Sequence, residues 1–259
     1  MIKDEPMLRV SGLTKSFGGV NAVSDVSFTV REGEIASLIG PNGAGKTTMF
    51  NAICRLFGVN SGAISFRGQD LLSQPPHKLA GMGMGRTFQN LAIFRHETVV
   101  SNLLVGMHSH LRSGVLGGAL YLGRTAREER HARELVERII EFLEIEEIRD
   151  HRVSQLSYGL QKRVELGRAL ATRPKLLLLD EMVSGMNQEE TEDIVRFILD
   201  LREEFGMTIL MIEHDMNVVM DISDTVHVMN FGVSIASGPP REVAANPEVI
   251  NAYLGAGHS

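Results

Sequence analysis

One stretch of eight residues, Gly40-Pro41-Asn42-Gly43-Ala44-Gly45-Lys46-Thr47, constrains this chain more than any other. It fits the pattern G-x-x-x-x-G-K-[ST]. Ile35 to Ile39, just before it, is a β-rich run that predicts a strand. After it, Met49, Phe50, Ile53, Leu56 and Phe57 recur at helical spacing, with Gly58 as the expected stop. Glycines let the backbone wrap closely, so that its N–H groups converge, and the helix that follows adds its positive N-terminal end. Strand, glycine-rich turn and helix in that order make a cradle for phosphate groups. Asn42, Gly43, Ala44 and Gly45 are expected to line it and Lys46 to reach the β- and γ-phosphates of a nucleotide. Thr47 is expected to bind Mg²⁺ through its hydroxyl, and Thr48 to meet the α-phosphate.

A second chemical element follows a second apolar run. Asp180-Glu181 comes directly after Leu176-Leu177-Leu178-Leu179. An acid at the carboxyl end of a buried strand lies where α/β sheets bind ligands. Asp180 is expected to hold Mg²⁺ through water, and Glu181 to polarise an attacking water. Around these elements the last third alternates between helix (Val164–Leu170 and Glu189–Glu204) and apolar strand (Leu176–Leu179 and Thr208–Ile212). Continuous apolar strands between helices predict a parallel sheet covered on both faces. Ser27–Val30 and Ile35–Ile39, joined by Arg31-Glu32-Gly33-Glu34, read as a hairpin, and Ala63–Phe66 as a further strand. From about 97 to 160 strand signals are few. Ser113–Gly118 reads as a loop. Thr125–Asp150 reads as a helix with Leu135, Val136, Ile139, Ile140 and Leu143 inward and its charges in solvent. Met207, Met211, Met216 and Met220 read as core filling.

Composition removes several classes. With 259 residues, 43% hydrophobic and 22% charged, the chain can bury a substantial core, which excludes disorder and collagen. One Cys excludes an internal disulfide and fits a reducing compartment. The formal charge of −6 argues against a nucleic-acid partner. Acids in Met1–Pro6 do not suit a signal peptide, and no apolar run nears the about 18 residues of a membrane span.

Taken in order, these motifs resemble an ABC-type ATPase, the nucleotide-binding subunit of a transporter, over essentially the whole length. Phe17, before Gly18, resembles the aromatic that stacks on adenine. Gln89, in Gly85-Arg86-Thr87-Phe88-Gln89-Asn90, resembles the Q-loop glutamine that touches Mg²⁺ and water. Leu156-Ser157-Tyr158-Gly159-Leu160-Gln161 resembles the signature L-S-G-G-Q, with Tyr158 and Leu160 as departures; Ser157 and Gly159 are retained. Met182 stands where Pro is usual, and Asn187 ends a D-loop that usually ends in Asp. His214 resembles the switch histidine that contacts the γ-phosphate. Val99–His108, Tyr121 with Arg124, Ile212–Met216 and Asn246–Gly255 narrow the likeness to the larger ATPase subunit of high-affinity branched-chain amino acid importers.

The resemblance implies an α/β fold: a P-loop NTPase (RecA-like) core with an antiparallel β subdomain and an inserted α-helical subdomain. One nucleotide-binding domain would span 1–259, its core 1–88 and 162–259 and its helical part 89–161. It implies ATP and Mg²⁺, with Glu181, His214 and Gln89 as the catalytic set. Each ATP would lie between one chain's phosphate loop and the signature of a second ATPase subunit, identical or different. Membrane permease subunits would be direct partners and a substrate-binding protein an indirect one. The chain would sit on the cytoplasmic face of the inner or plasma membrane. Leu91, Ile93 and Phe94, beside Gln89, are expected to line a groove for a permease helix. Urea and short-chain amide importers share the pattern closely. A lipopolysaccharide-export ATPase shares the length and closing residues but lacks the Gly-rich loop. A non-transport ABC ATPase is least favoured, because coiled-coil or zinc insertions and a fused second ATPase domain are missing from the sequence.

Overall fold

Three runs, Ile35–Ile39, Leu176–Asp180 and Thr208–Ile212, are buried at every position. Their side chains divide by parity. Leu176, Leu178, Leu210, Ile212 and Leu38 pack into one core, while Leu177, Leu179, Ile209, Met211 and Ile39 pack into another. Period-2 alternation sends neighbouring residues to opposite faces, so an unbroken apolar run is a strand covered on both sides. At about 1.5–3 kcal/mol for each fully buried aliphatic side chain, these strands contribute substantially to stability.

The computed structural model describes residues 5–88, 91–107 and 124–255. Its strands are β1 (Leu8–Phe17), β2 (Val20–Val30), β3 (Ile35–Ile39), β4 (Ser61–Phe66), β5 (Gln69–Asp70), β6 (Met84–Arg86), β7 (Leu176–Asp180), β8 (Thr208–Ile212), β9 (Thr225–Asn230) and β10 (Val233–Gly238). They form two sheets, an antiparallel one in the order β2-β1-β4-β5 and a six-stranded one in the order β10-β9-β3-β8-β7-β6. In the second sheet β9, β3, β8, β7 and β6 run parallel, and β10 pairs antiparallel with β9. The helices are α1 (Lys46–Ile53), α2 (Leu79–Met82), α3 (Val99–Gly106), α4 (Arg124–Phe142), α5 (Tyr158–Ala171), α6 (Gln188–Glu203), α7 (Met216–Ile222), α8 (Pro240–Ala244) and α9 (Pro247–Gly255). Among the described residues no helix is long and apolar enough to cross a membrane.

One core lies between the antiparallel sheet and the central sheet, wrapped around Met49, Phe50 and Ile53 of α1. The other joins the opposite face of the central sheet to α3, α4, α5 and α6 through Leu103, Val136, Val164 and Phe197. On α4, Val136, Ile139 and Ile140 face inward as expected, as does Leu143 just beyond its end, while Leu135 is only partly buried against the same core. The expected break between helical part and core at 161 falls inside α5.

Two expectations need correction. Ser27–Val30 and Ile35–Ile39 are not a hairpin: β2 pairs with β1, and β3 pairs with β8 and β9 in the other sheet. The intervening turn is held by distant groups, with Gly33 N–H donating to Thr208 Oγ1 at 2.9 Å and Ile35 N–H to Asp224 Oδ2 at 2.9 Å. The helix after the phosphate loop also stops early, at Ile53, because Arg55 takes the left-handed conformation (φ 59°) that ends it. Leu56 is left exposed. The Ser113–Gly118 loop, His108 and Tyr121 lie outside the described residues.

Candidate functional site

The cradle forms at the carboxyl end of β3. Gly40, Gly43 and Gly45 take positive φ of 148°, 79° and 101°. At Gly40 a Cβ would fall inside the shell of the Met229 carbonyl oxygen, and at Gly45 inside that of Ala22, so both must be glycine. Ala44 N–H closes the turn onto the Pro41 carbonyl at 3.1 Å, and the Gly232 N–H holds the Ala44 carbonyl at 3.0 Å. Helix α1 starts at Lys46 with no side-chain cap and no acid in its first turn. Its opening N–H groups are thus left to an anion. Asn42, Gly43 and Thr47 are exposed and Thr48 is half-buried.

Lys46 is buried and folds back on the loop, its Nζ donating to the Gly40 carbonyl at 2.6 Å and the Pro41 carbonyl at 3.1 Å. Desolvation lowers its pKa, opposed by the carboxylates of Glu181 and Asp180, which places those two acids near it. Asp180 is 1% exposed in its side chain and pairs with Arg86 at 3.0 Å. Burial raises its pKa against that partner. Its second oxygen, Oδ1, is buried with no hydrogen bond among the described residues. An orphaned carboxylate oxygen beside an uncapped helix start suits a hydrated Mg²⁺.

Glu181 adopts φ 52°, unusual for a residue with a Cβ. Its N–H donates to the Ile212 carbonyl at 2.9 Å and its own carbonyl accepts from Lys162 Nζ at 3.3 Å. His214, more than half exposed, stands with Nδ1 3.8 Å from Glu181 Oε1. Phe17 ends β1, half-exposed, edge-on to Phe57 at 5.2 Å and with Lys15 Nζ 4.7 Å from its ring centroid. Phosphate loop, Asp180, Glu181 and His214 thus gather at the carboxyl ends of β3, β7 and β8. Gln89 and Asn90 lie outside the described residues.

Ser157 caps α5, its Oγ accepting from Leu160 N–H at 3.3 Å. Gly159 packs on Glu190, whose carboxylate a Cβ would overlap. Glu190 is itself half of a capping box with Asn187, the N-cap of α6. That accounts for Asn187 inside the chain, because Asn caps as well as Asp.

The family described as ABC transporter matches residues 23–184, and one described as branched-chain amino acid ATP-binding cassette transporter matches 235–259. The chain is 44% identical to the high-affinity branched-chain amino acid transport ATP-binding protein BraF of Pseudomonas aeruginosa, over 96% of this chain and 98% of that protein. It is 42% identical to the corresponding protein LivG of Escherichia coli, over 97% and 98%. This chain belongs to the ABC transporter ATPase family. An ATP-binding cassette solved in its ADP conformation superposes with a TM-score of 0.84 at 33% identity, over 97% of this chain and 99% of that one.

The ABC cassette also holds residues that sequence reasoning missed. Lys162 and Glu165, buried on α5, pair at 3.7 Å. Glu165 Oε1 accepts the Phe88 N–H at 2.9 Å and the Ala92 N–H at 3.5 Å, and Arg168 donates to the Ala92 carbonyl. The signature helix thus grips the chain on both sides of Gln89. Asn102 fixes Phe94, accepting its N–H at 2.8 Å and donating to its carbonyl at 3.0 Å. No motif marks these residues: Glu165 acts across 77 positions, and Asn102 on a loop residue eight positions away.

Glu213, between β8 and His214, is the most perturbed acid at the site. It is 2% exposed, accepts the Val183 N–H at 3.2 Å, and burial pushes its pKa up to about 7. The folded chain keeps a proton here that the unfolded chain, with a carboxyl near 4.5, gives up. Stability must therefore fall as pH rises from about 4.5 through 7, by about 3 kcal/mol in all. Glu213→Gln removes this cost. Its melting temperature relative to the parent should climb between pH 5 and pH 8, at roughly 2–4 °C per kcal/mol. A gap independent of pH in calorimetry would contradict the assignment.

Proposed function

We propose that this cassette binds ATP on its phosphate loop and hydrolyses it to power uptake of branched-chain amino acids through separate membrane permeases. The observation that carries the reading is near-full-length identity of 42–44% to cassettes of high-affinity branched-chain amino acid transporters, together with one face that collects phosphate loop, acids and histidine. Backbone N–H groups of residues 43 to 48 bind phosphate oxygens, and Asn42 lines the same loop. Lys46 leaves its loop carbonyls for the β- and γ-phosphates, and Phe17 offers a ring to the adenine. Thr47 and Asp180, with Gln89, hold Mg²⁺, which when bound neutralises charge on the transferring phosphoryl group. Glu181 orients and polarises the attacking water, and His214 meets the γ-phosphate. Positioning and charge stabilisation supply most of the rate in such transfers.

Ser157 and Gly159 serve the ATP of a second ATPase subunit, because the hydroxyl, the slim residue and the start of α5 suit a phosphate. The chain then works as one of a pair on the cytoplasmic face of the membrane. A permease helix docks beside Phe94, which is 51% exposed. A separate cavity of about 250 Å³, lined by Cys54, Leu56, Leu79, Arg86, Phe88 and Leu178, does not include Phe94. Ile93 packs partly on the core, so Phe94 is the cleaner probe. Phe94→Asp should keep ATP affinity within about twofold and weaken permease assembly by more than tenfold, in line with loss of one aromatic anchor. Intact assembly would move the groove elsewhere.

A tagged pull-down from detergent-solubilised native membranes, read by mass spectrometry, tests the whole reading. Two permeases and a second, shorter ATPase are expected, with uptake of labelled leucine, isoleucine and valine lost when the chain is removed. Loss of urea or amide uptake instead, or capture of exporter permeases, would overturn the substrate while leaving the ATP site in place.

A further inference from the structure

The two proposed metal-site groups lie on separate elements, Thr47 on α1 and Asp180 at the end of β7. One side chain bridges these elements. Arg86, the last residue of β6, donates from Nη2 to Asp180 Oδ2 at 3.0 Å and to Asn51 Oδ1 at 2.9 Å. Asn51 follows Thr47 by four residues, one turn along the same helix face. Nε of Arg86 donates to the Thr87 carbonyl at 3.3 Å, and its guanidinium carbon lies 4.8 Å from the Phe88 ring centroid. The Asp180 N–H is held in turn by Thr87 Oγ1 at 3.1 Å. The carboxylate is therefore anchored through Oδ2, while Oδ1 is buried and has no hydrogen bond among the described residues.

We propose that Arg86 is a positioning residue for the metal site, tying the phosphate-loop helix to the Asp180 carboxylate so that Oδ1 is kept for Mg²⁺ and its water. The proposal rests on the reading that Asp180 serves the metal. The chemistry favours Arg over Lys. A planar fork with fixed donors can hold an amide oxygen and a carboxylate together in one geometry, whereas an ammonium on a flexible stem holds charge without orientation. Phe88 on the guanidinium and the backbone bond to Thr87 leave that fork little freedom. Without it, Asp180 would be a buried carboxylate free to turn, and α1 would lose its side-chain link to β7 through Asn51.

The test uses the full chain and a fluorescent ATP analogue, titrated with and without Mg²⁺. Arg86→Met should raise the Mg²⁺ concentration for half-maximal tightening of the analogue by about tenfold, the scale of one charge-assisted hydrogen bond. Affinity without Mg²⁺ should stay within about twofold, which a merely structural role does not predict. Arg86→Lys should fall between parent and Met. Asn51→Ala, which keeps the Arg86–Asp180 pair and is the milder change, should shift the midpoint by about threefold in the same direction. If Arg86→Met does not fold, Asn51→Ala carries the test. An unchanged Mg²⁺ midpoint, or an equal loss of affinity without Mg²⁺, overturns the tether. Asp180→Asn separates the two readings. If it leaves the Mg²⁺ midpoint unmoved, the role of Asp180 falls and the tether with it; if it moves the midpoint and Arg86→Met does not, the tether alone falls.

Discussion

Glu181→Gln stops hydrolysis and leaves ATP bound: that is the expected result for the cassette assembled with its partners. A general base contributes about 10²–10⁴ in rate, so kcat should fall by about a thousandfold while ATP affinity stays within about threefold. The local geometry makes the comparison clean. The backbone at 181, at φ 52°, is pinned by the Ile212 carbonyl and by Lys162 through its own N–H and carbonyl, contacts that do not use the side chain being changed. Glutamine keeps the size and one acceptor oxygen and loses the negative charge that polarises water. Phosphate release and analogue binding, measured on the same preparation, read the two parameters. A kcat within tenfold of the parent would move the base away from Glu181, with His214, 3.8 Å away, next to be examined.

Gly40→Ala is expected to cost more stability than any other single methyl added to the phosphate loop. The new Cβ would meet the Met229 carbonyl, with the Met229 carbon at 3.0 Å and Ala44 Cβ at 3.1 Å. Neither side can give way, because Met229 is in β9 and Ile39, paired with Val228, leads directly into Gly40. Positive φ and a backbone clash together predict a loss above about 3 kcal/mol. Gly43→Ala is the control. It also has positive φ, yet nothing lies within 4 Å of its Cβ, so only the conformational cost of about 1 kcal/mol applies. Denaturant melts of both variants without nucleotide decide the matter. Equal losses would mean that strain, rather than the approach of β9, fixes glycine at position 40.

The phosphate loop was legible because its information is contiguous: a backbone path that needs glycine at set places. The acids Asp180 and Glu181 were legible because a buried strand announces its own end. Other features depend on distances that spacing does not encode. Arg86 meets Asp180 across 94 positions, and Glu165 meets Phe88 across 77. The false hairpin has the same origin. Alternation reveals a strand, but pairing is chosen by faces, and β3 has two apolar faces where β2 lies in a different sheet. The early end of α1 was hidden because Arg55, not a glycine, takes the left-handed turn.

The contact between Gly159 and Glu190 bears on how such a chain can drift over generations. The two positions share one volume, and Glu190 is committed to the start of α6 through its exchange of hydrogen bonds with Asn187. Any larger residue at 159 displaces that carboxylate and removes the bond it accepts from the Asn187 N–H, while the Asn187 side chain still caps the Glu190 N–H. A shorter residue at 190 frees the space and forfeits the same half of the capping box. Gly159 and Glu190 should therefore change together, whereas Asn187, whose oxygen meets a backbone N–H, need not follow them.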